Sequence, residues 1–444
     1  MNPLRLLLFL LLVFPAVSPH AAKGHEPPKR FTEKAQHKPT PLPDRVILTL
    51  TESPATSVDV TWRTSTEVEK SVVEVAPADG VAGNLMAGIV PWAEEVAGAH
   101  EPFKSDLGTC HMHTARLEGL KPATMYVYRV GDGDKRWSEW HQVVTASDAA
   151  EPFTFIYFGD AQNAVRSMWS RVVREANLTA PKAAFMLHAG DLINRANRDA
   201  EWGEWFYAGG WLNGRIPSIA TPGNHEYDRL PGEDDKSLSL HWRPSFSFPT
   251  NGPEGLEETV YWLDYQGVRF VALNSNEQVD RQTEWLRSVL ADASRPKWTV
   301  VTFHHPIYSA ARNRDNPGLR KQWRPLLEEQ GVDLVLQGHD HAYARSGLGG
   351  PENVTEGVRT KQSNTVYVVS VSGPKMYPVQ QTWDMSRAAS GVQLFQVIYV
   401  SQDDIKYEAR LATGELYDAF TLTKNADGVS TLTEQVPETE AIRK

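Results

Sequence analysis

Five apolar, strand-like segments between residues 150 and 341 each run directly into a Gly or Pro turn that carries Asp, Asn or His. The segments and their turns are 153–158 with Gly159-Asp160, 184–188 with Gly190-Asp191, 216–220 with Pro222-Gly223-Asn224-His225-Glu226, 298–303 with His304-His305-Pro306, and 332–336 with Gly338-His339-Asp340-His341. The helical segments between them are typical of an α/β domain. Because ligands collect at the carboxyl ends of strands in such sheets, we expect the five turns to converge on one site.

The side chains in these turns predict a metal site. Two aspartates, one asparagine and several histidines suit Fe, Mn or Zn better than a soft metal or an all-oxygen calcium site. A single catalytic zinc needs about three protein ligands, whereas more candidates than that converge here, so we expect two ions per chain, with one Asp bridging them. A lone Asp after a strand is more often a helix cap, and the prediction therefore depends on the five turns together.

Composition excludes other classes of site and partner. Cys110 is the only cysteine among 444 residues, which rules out an intrachain disulfide, a Cys-based zinc finger and an iron–sulfur cluster. The net charge of -10 works against binding to a nucleic-acid scaffold or an anionic membrane. The length allows two or three domains.

The first residues have the pattern of a secretory signal peptide. Arg5 precedes an apolar run, and Ala21 and Ala22 offer a cleavage site, so we expect residues 1–22 to be removed and the protein to be exported, either periplasmic or secreted. The run is shorter than the roughly 20 apolar residues that a membrane span needs, so no membrane anchor is expected. Residues 23–41 are predicted to be a Pro-rich linker.

Short alternating strands dominate residues 42–147 and predict a β-sandwich. His111 and His113 share a strand face there, but without a third ligand we interpret them as surface residues. The α/β domain is predicted to span residues 151–424, and strand-like runs near its end complete a second sheet. Residues 425–444 are predicted to be a polar tail.

In order and spacing, the five turns resemble the signature of the calcineurin-like metallophosphoesterases, specifically the purple acid phosphatase group. The matching blocks are Gly159-Asp160, Gly190-Asp191, Gly223-Asn224-His225-Glu226, Val301-x-x-His304 and Gly338-His339-x-His341. Upstream, the segments 117–122 and 126–131 are similar to the fibronectin-III-like domain of that group. The resemblance implies an all-β, fibronectin-III-like sandwich followed by an α/β metallophosphoesterase domain, which is a two-sheet β-sandwich flanked by helices.

The resemblance also implies roles for single residues. The implied ligands of metal one are Asp160, Asp191 and His341. The implied ligands of metal two are Asn224, His304 and His339, and Asp191 is implied to bridge the two ions. His225 resembles the outer-sphere histidine that contacts the phosphoryl group, and Asn224 also lies at the substrate. Tyr343 and Arg345 resemble the group's trailing Tyr-x-Arg segment, for which we expect a supporting role rather than catalysis.

The chain departs from the group's pattern near metal one. Asn194 stands where purple acid phosphatases have the tyrosinate that stabilises ferric iron, and Gln162 stands where general metallophosphoesterases have His. Gln162, Asn194 or water is left to complete the shell. We therefore expect a mixed or homodivalent pair of Fe, Mn or Zn ions without a charge-transfer band.

A third departure concerns the proton donor. Arg312, Asn313 and Arg314 stand where the group has further acid histidines. A guanidinium binds phosphate but cannot act as a general acid near neutral pH. Arg314 is therefore a candidate phosphate contact, with a solvated surface loop as the alternative, and leaving-group protonation falls to His225 or water.

The function that the resemblance implies is hydrolysis of small phosphomonoesters by a metal-activated hydroxide in an exported enzyme. Two alternatives stay open: a phosphodiesterase or nucleotide hydrolase that uses the same site, and a surface-binding module with a degenerate metal site. The sequence leaves the oligomeric state open.

Overall fold

The computed structural model describes residues 32–79, 90–311, 313–348 and 364–443. The expected signal peptide at 1–22, the first part of the predicted linker and Arg312 lie outside the described residues. Within the described ranges, no helix combines the length and the apolar character that crossing a membrane would require.

The N-terminal part of the chain is a β-sandwich, as predicted. Its strands are Asp44–Leu50 (β1), Val58–Thr64 (β2), Val72–Pro77 (β3), Glu94–Ala97 (β4), Ala99–Lys104 (β5), Thr109–Leu117 (β6), Met125–Gly131 (β7) and His141–Val144 (β8). One layer has the order β1-β2-β6-β5 and the other β4-β3-β7-β8. Trp62, Val73 and Tyr128 belong to the apolar cluster between the layers, so alternate residues of each strand form the core.

The second part contains two further sheets and a separate antiparallel pair, formed by the fourth and fifth of its strands. Its strands are Phe153–Phe158 (β9), Met186–His188 (β10), Ser218–Ala220 (β11), Tyr227–Arg229 (β12), Lys236–Leu238 (β13), Tyr261–Tyr265 (β14), Val268–Ala272 (β15), Trp298–Thr302 (β16), Leu334–Gln337 (β17), Tyr343–Arg345 (β18), Val366–Val369 (β19), Arg387–Ala389 (β20), Leu394–Val400 (β21), Asp404–Leu411 (β22), Leu416–Lys424 (β23), Ser430–Glu434 (β24) and Ile442–Arg443 (β25). The first sheet runs β24-β23-β22-β21-β9-β10-β11, and the second runs β14-β15-β16-β17-β19-β18-β20-β25.

The two sheets pack face to face and carry helices on their outer sides. Phe155 on β9 and Phe270 on β15 belong to one apolar cluster. Their two rings pack edge to face, with ring centres 5.3 Å apart. The α-helices are Glu33–Gln36, Ser170–Thr179, Asp199–Gly209, Trp242–Ser245, Val279–Leu290 and Pro317–Glu329. The structure confirms the predicted two-sheet sandwich flanked by helices.

Parallel pairing positions the site. Strands β9, β10 and β11 are parallel to one another, as are β15, β16, β17 and β19 in the other sheet. The carboxyl ends of parallel strands lie at the same edge of a sheet, so turns that are distant in the sequence are neighbours in space.

The structure corrects the expectation for residues 425–444. Residues Ser430–Glu434 pair antiparallel with β23, and Ile442–Arg443 pairs parallel with β20. The polar side chains of β24 occupy an edge strand, where one face remains in solvent, and this explains why their composition resembled that of a tail.

Backbone pairing joins the two parts of the molecule. Strand β1 pairs parallel with β11 at Thr49 and Ser218, so the sandwich layer and the first sheet of the second domain form one sheet of 11 strands. The backbone N–H of Leu48 donates to the carbonyl of Asn213 at 2.9 Å. The sandwich is therefore attached directly to the domain that carries the predicted site.

Candidate metal centre

The six predicted ligand residues all follow carboxyl ends of parallel strands. Asp160 follows β9, Asp191 follows β10, Asn224 follows β11, His304 follows β16, and His339 and His341 follow β17. The structure brings five of them into two clusters that have one residue in common, and in each cluster the donor atoms lie within 4.8 Å of one another. The shared residue is Asp191.

The first cluster contains Asp160, Asp191 and His341, and all three are buried. His341 Nε2 lies 3.5 Å from Asp160 Oδ2. Two buried carboxylates and one imidazole form a donor set that suits a first-row divalent cation.

The second cluster contains Asp191, His304 and His339. His304 Nε2 lies 3.2 Å from Asp191 Oδ2 and 3.2 Å from His339 Nδ1. The other ring nitrogen of His304, Nδ1, donates to the carbonyl of Ala189 at 2.8 Å. That bond fixes the ring so that Nε2 faces the cluster, as is usual for metal-binding histidines.

Unsatisfied oxygen atoms show that these residues fit a cation. Asp160 Oδ2 and Asn224 Oδ1 are buried and have no hydrogen-bond partner among the described residues. A buried polar atom without a partner costs about 1–3 kcal/mol, which a cation bound at each oxygen would offset. Asn224 follows β11, the strand next to β10, and its unsatisfied oxygen is available to a cation.

The electrostatics of the centre also favour bound cations. Burial raises the pKa of Asp160 to about 7, and the charge of Asp191 adds to this rise. Burial lowers the pKa of His304, but Asp191 and Asp160 outweigh it and raise this pKa to about 9. Burial opposes ionisation of Asp191 as well, yet His304 holds the pKa of that carboxyl well below its usual range. Carboxylates crowded away from water lower their free energy when positive charge lies between them.

The backbone is strained where it carries ligands. Asp191, His339 and His341 have φ angles of 52°, 77° and 50°, in the left-handed region. Such conformations cost about 1–3 kcal/mol each and persist where surrounding contacts impose them. A Cβ atom on Gly223 would lie 2.2 Å from Asp191 Oδ1, and one on Gly338 would lie 2.3 Å from Asp160 Oδ1. Only glycine permits these close approaches.

His225 lies at the mouth of the centre. Its Nδ1 is 2.6 Å from the carbonyl of Asn194, and its Nε2 is 4.0 Å from Asp191 Oδ2. Its backbone N–H donates to Asp191 Oδ1 at 2.8 Å. The side chain is 27% exposed and is therefore accessible from solvent.

Arg314 is bound to the loop that carries His339. Its Nη2 donates to the carbonyl of His339 at 2.7 Å, and its Nε lies 3.4 Å from Asp340 Oδ1. Its guanidinium carbon lies 5.2 Å from the centre of the Tyr377 ring. These contacts place Arg314 beside the centre rather than on a solvated surface loop.

In the described part of the chain, the side chains of Tyr343 and Arg345 form their hydrogen bonds and ion pairs with residues other than the six predicted ligands. The Tyr343 hydroxyl donates to Asp418 Oδ2 at 2.6 Å, and Arg345 forms an ion pair with the same carboxylate at 2.7 Å. Arg345 also binds Glu434 on β24 at 2.7 Å. Their support for the centre is therefore indirect, through the sheet that follows the last ligand.

The two histidines of β6 do not form a metal site with a third donor among the described residues. His113, expected at the surface, is fully buried, and its nitrogens lie 2.7 Å from Thr64 Oγ1 and 2.8 Å from Ser71 Oγ. His111 Nδ1 lies 2.8 Å from the carbonyl of Val68. The ring of His113 is a satisfied core group.

Sequence reasoning missed the role of Glu226. Its Oε2 accepts the backbone N–H groups of Asp191 at 2.8 Å and Gly223 at 2.7 Å, and its Oε1 accepts that of Leu192 at 2.8 Å. This buried carboxylate thus joins the turn after β10 to the turn after β11. The sequence signal that could have indicated this role is an acidic residue directly after Asn224 and His225, in a turn whose other side chains already had proposed roles.

Two family profiles match the chain. The profile described as "Purple acid Phosphatase, N-terminal domain" matches residues 43–145, and "Calcineurin-like phosphoesterase" matches residues 140–343. Among solved structures, the purple acid phosphatase from yellow lupin (Lupinus luteus) seeds superposes with a TM-score of 0.69 at 19% identity, over 87% of this chain and 75% of that one. At this identity the structural likeness shows the fold alone.

Sequence relatives include plant proteins. Purple acid phosphatase 18 of Arabidopsis thaliana is 28% identical over 70% of this chain and 68% of its own length. Purple acid phosphatase 15 of the same plant is 29% identical over 53% of this chain, and a probable inactive purple acid phosphatase 9 is 24% identical over 63%. The matched region spans about half of the length of each of these last two, 49%. The chain therefore carries a domain like the N-terminal domain of purple acid phosphatases, followed by a calcineurin-like phosphoesterase domain. This pair of domains and the purple acid phosphatase relatives support a metal-dependent phosphatase.

Proposed function

We propose that this protein is an exported dimetal phosphohydrolase that cleaves phosphomonoesters of small molecules. The observation that supports the proposal most directly is that Asp191 belongs to both clusters, each of which also contains a histidine. A carboxylate shared in this way is the arrangement expected for a bridging ligand of two ions.

In this proposal, Asp160, Asp191 and His341 hold one ion, and Asp191, Asn224, His304 and His339 hold the other. When bound, a pair of such ions lowers the pKa of water and neutralises the charge of a phosphoryl group during in-line displacement. Asn194, in place of a tyrosinate, leaves no charge-transfer chromophore, so we expect metal-loaded protein without an intense violet absorbance.

His225 is proposed to serve the phosphoryl group and the leaving oxygen. Because the Asn194 carbonyl accepts from Nδ1–H, Nε2 is the nitrogen that faces the mouth of the centre, and it donates a proton to the leaving oxygen when both ring nitrogens are protonated. Asn224 also lies at the substrate, beside His225. Arg314 is proposed to contact a phosphate oxygen, since its side chain is 24% exposed and its guanidinium binds the carbonyl of His339.

Export is the least direct part of the proposal, and it depends on the signal-peptide pattern of residues 1–22. Expression of the full chain, followed by N-terminal sequencing of the mature protein, tests it. Cleavage after Ala22 or nearby supports export, and an intact N-terminus in cell extract contradicts it.

The activity is tested on metal-depleted protein that is reloaded with defined Fe, Mn or Zn. We expect hydrolysis of a chromogenic aryl phosphate that depends on two bound ions and greatly exceeds hydrolysis of the matched aryl phosphodiester. Faster hydrolysis of the aryl phosphodiester than of the aryl phosphate would show that the enzyme is a phosphodiesterase instead. Two bound ions without turnover of any phosphoester would indicate a degenerate site, and equal turnover after chelation would overturn the proposal.

A further inference from the structure

The amide of Gln162 lies within the first cluster. The residue is fully buried, and its Nε2 is 2.8 Å from Asp191 Oδ2 and 3.0 Å from His341 Nε2. Its Oε1 is buried and has no hydrogen-bond partner among the described residues. The side chain therefore contacts the donor atoms of two cluster members and has an unsatisfied oxygen beside them.

The backbone fixes Gln162 at this place. The N–H groups of Ala161 and Gln162 both donate to the carbonyl of Asp191, at 3.1 and 3.0 Å. On the other side, a Cβ atom on Gly373 would lie 2.5 Å from the Gln162 carbonyl oxygen, so glycine lets that loop close over the residue. Backbone hydrogen bonds thus hold Gln162 against the residue that both clusters share, so little conformational entropy remains to be lost when its side chain binds an ion.

A half-turn of the amide exchanges Nε2 and Oε1 without changing the shape of the side chain. In the orientation observed, Nε2 faces the acceptor atoms of Asp191 and His341. When a cation lies between those acceptors, the amide oxygen is the atom that binds it favourably, so Oε1 should face the ion. We propose that Gln162 Oε1 is a further ligand of the ion held by Asp160, Asp191 and His341, an inference that rests on the dimetal centre of the proposed function.

Asn194, the other side chain considered for this role, does not compete. Its backbone carbonyl accepts from His225, and in the described ranges its side chain makes no hydrogen bond to either cluster. With Gln162, the donor set of the first ion becomes two carboxylates, one imidazole and one amide oxygen. Carboxylate and carbonyl oxygens suit Mn²⁺ better than soft or thiolate-seeking metals. A neutral oxygen in place of a tyrosinate also favours a divalent ion over Fe³⁺.

The test compares Gln162→Leu with Gln396→Leu. Gln396 is also fully buried with an unpartnered Oε1, but its Nε2 donates to Ser370 Oγ at 2.6 Å, and it belongs to neither cluster. Metal-depleted full-length proteins are titrated with Mn²⁺ by calorimetry. We expect the wild type and Gln396→Leu to bind two ions, and Gln162→Leu to bind one of them at least about 10-fold more weakly. Gln162→His, which supplies an imidazole, should recover two ions and shift the preference toward Zn²⁺.

A ligand is distinguished from a hydrogen-bonding residue by the melting temperature with and without Mn²⁺. Loss of a ligand lowers the melting temperature mainly of the loaded protein, whereas loss of a structural bond lowers both values equally. Equal Mn²⁺ affinity in the wild type and Gln162→Leu, or equal shifts in both melting temperatures, would overturn the inference. If the Leu variant does not fold, Gln162→Asn, whose amide is one methylene shorter, gives the same comparison. Because these readouts need no turnover, they remain decisive even if the protein hydrolyses no phosphoester.

Discussion

At the scale of single residues, the centre depends on a carboxylate that lies outside both ligand clusters. Glu226 accepts backbone N–H groups from Asp191, Leu192 and Gly223, and these bonds fix Asp191, which is common to both clusters, relative to the turn that carries Asn224. Burial, together with the charge of Asp191, raises the pKa of Glu226 to about 8. The N–H groups of Gly223 and Asp191 and the charge of His304 oppose this rise and favour the ionised carboxylate.

Glu226→Gln should weaken metal binding and stability together. An amide has one oxygen for three N–H donors, so at least one buried donor loses its partner, at a cost of about 1–3 kcal/mol. We expect a lower melting temperature of the metal-free protein and about 10- to 100-fold weaker Mn²⁺ binding by calorimetry. Glu257→Gln, which alters an exposed bond to the Gly255 N–H, is the control. Wild-type values for both quantities in Glu226→Gln would contradict this role.

His225→Ala should reduce turnover while both ions stay bound. A positioned proton donor and charge-stabilising group contributes about 10²- to 10³-fold to the rate. We expect a decrease of that size in kcat on an aryl phosphate, with metal content measured on the same samples. His111→Ala, in the N-terminal sandwich, should leave kcat unchanged. Full turnover of His225→Ala with two ions bound would remove His225 from the mechanism.

At the scale of elements, the helix Asp199–Gly209 is attached to the sandwich by buried charges. Asp199 Oδ1 lies 2.7 Å from Arg45 Nη1, and Asp199 Oδ2 lies 3.6 Å from Arg63 Nη1. His241 Nε2 lies 3.3 Å from the same carboxylate. The helix begins at this residue, so its N-terminus also favours the negative charge.

Asp199→Asn should destabilise the protein by about 3–5 kcal/mol at neutral pH, since it leaves buried guanidinium charge uncompensated. Urea unfolding of the wild type and the variant measures the difference. Asp44→Asn is a control, because the Asp44 side chain is 39% exposed and pairs with only one of these arginines. A smaller loss is expected from it. Equal stability of Asp199→Asn and the wild type would contradict the anchoring role.

The contacts of Asp199 also predict how the difference in unfolding free energy between the wild type and Asp199→Asn depends on pH. Burial opposes ionisation of Asp199, but His241 and Arg45 outweigh it and hold the pKa of its carboxyl below the usual value. A carboxyl with a lowered folded pKa stabilises the protein fully above its unfolded pKa of about 3.9 and loses that contribution as the pH falls through the folded pKa. The gap between wild type and Asp199→Asn should therefore be constant from pH 7 to about pH 5 and shrink below about pH 4. A gap that stays constant at pH 3 would contradict this assignment.

At the scale of the whole molecule, the two domains share a sheet and a buried polar contact. The hydroxyl of Tyr128, a fully buried residue of the sandwich, donates to the carbonyl of Gly214 at 2.6 Å. Together with the pairing of Thr49 and Ser218, this contact makes the sandwich part of the support for β11 and therefore for Asn224.

The domains should accordingly unfold in one transition. Differential scanning calorimetry of the wild type is expected to show a single peak, and Tyr128→Phe should lower its position, because an unpaired buried carbonyl costs about 1–3 kcal/mol. Tyr399→Phe, on β21 and away from this contact, is the control. Two separate peaks in the wild type would show that the shared sheet does not couple the domains.

Several features of the fold could not be predicted from the sequence, because they depend on contacts with residues that are distant in the chain. Strand β24 is polar and pairs with β23 at the edge of the 11-stranded sheet, so its own residues resemble a tail until that partner strand is in place. His113 is buried because Thr64 and Ser71, from other parts of the sandwich, bind both of its nitrogens. Gln162 lies beside His341, 179 residues away, and no local pattern predicts that contact.

The sequence by itself determined the class of fold and the residue types of the centre. Strand periodicity, glycine turns and ligand-type side chains are local properties, readable within a few residues, and the order of the five turns carried the resemblance to a family. Only the tertiary structure decided which donor atoms lie within reach of one another, that Asp191 is common to both clusters, and that Glu226 and Gln162 surround it. Those relations arise from sheet pairing and side-chain packing between residues far apart in the chain, which spacing along a sequence does not encode.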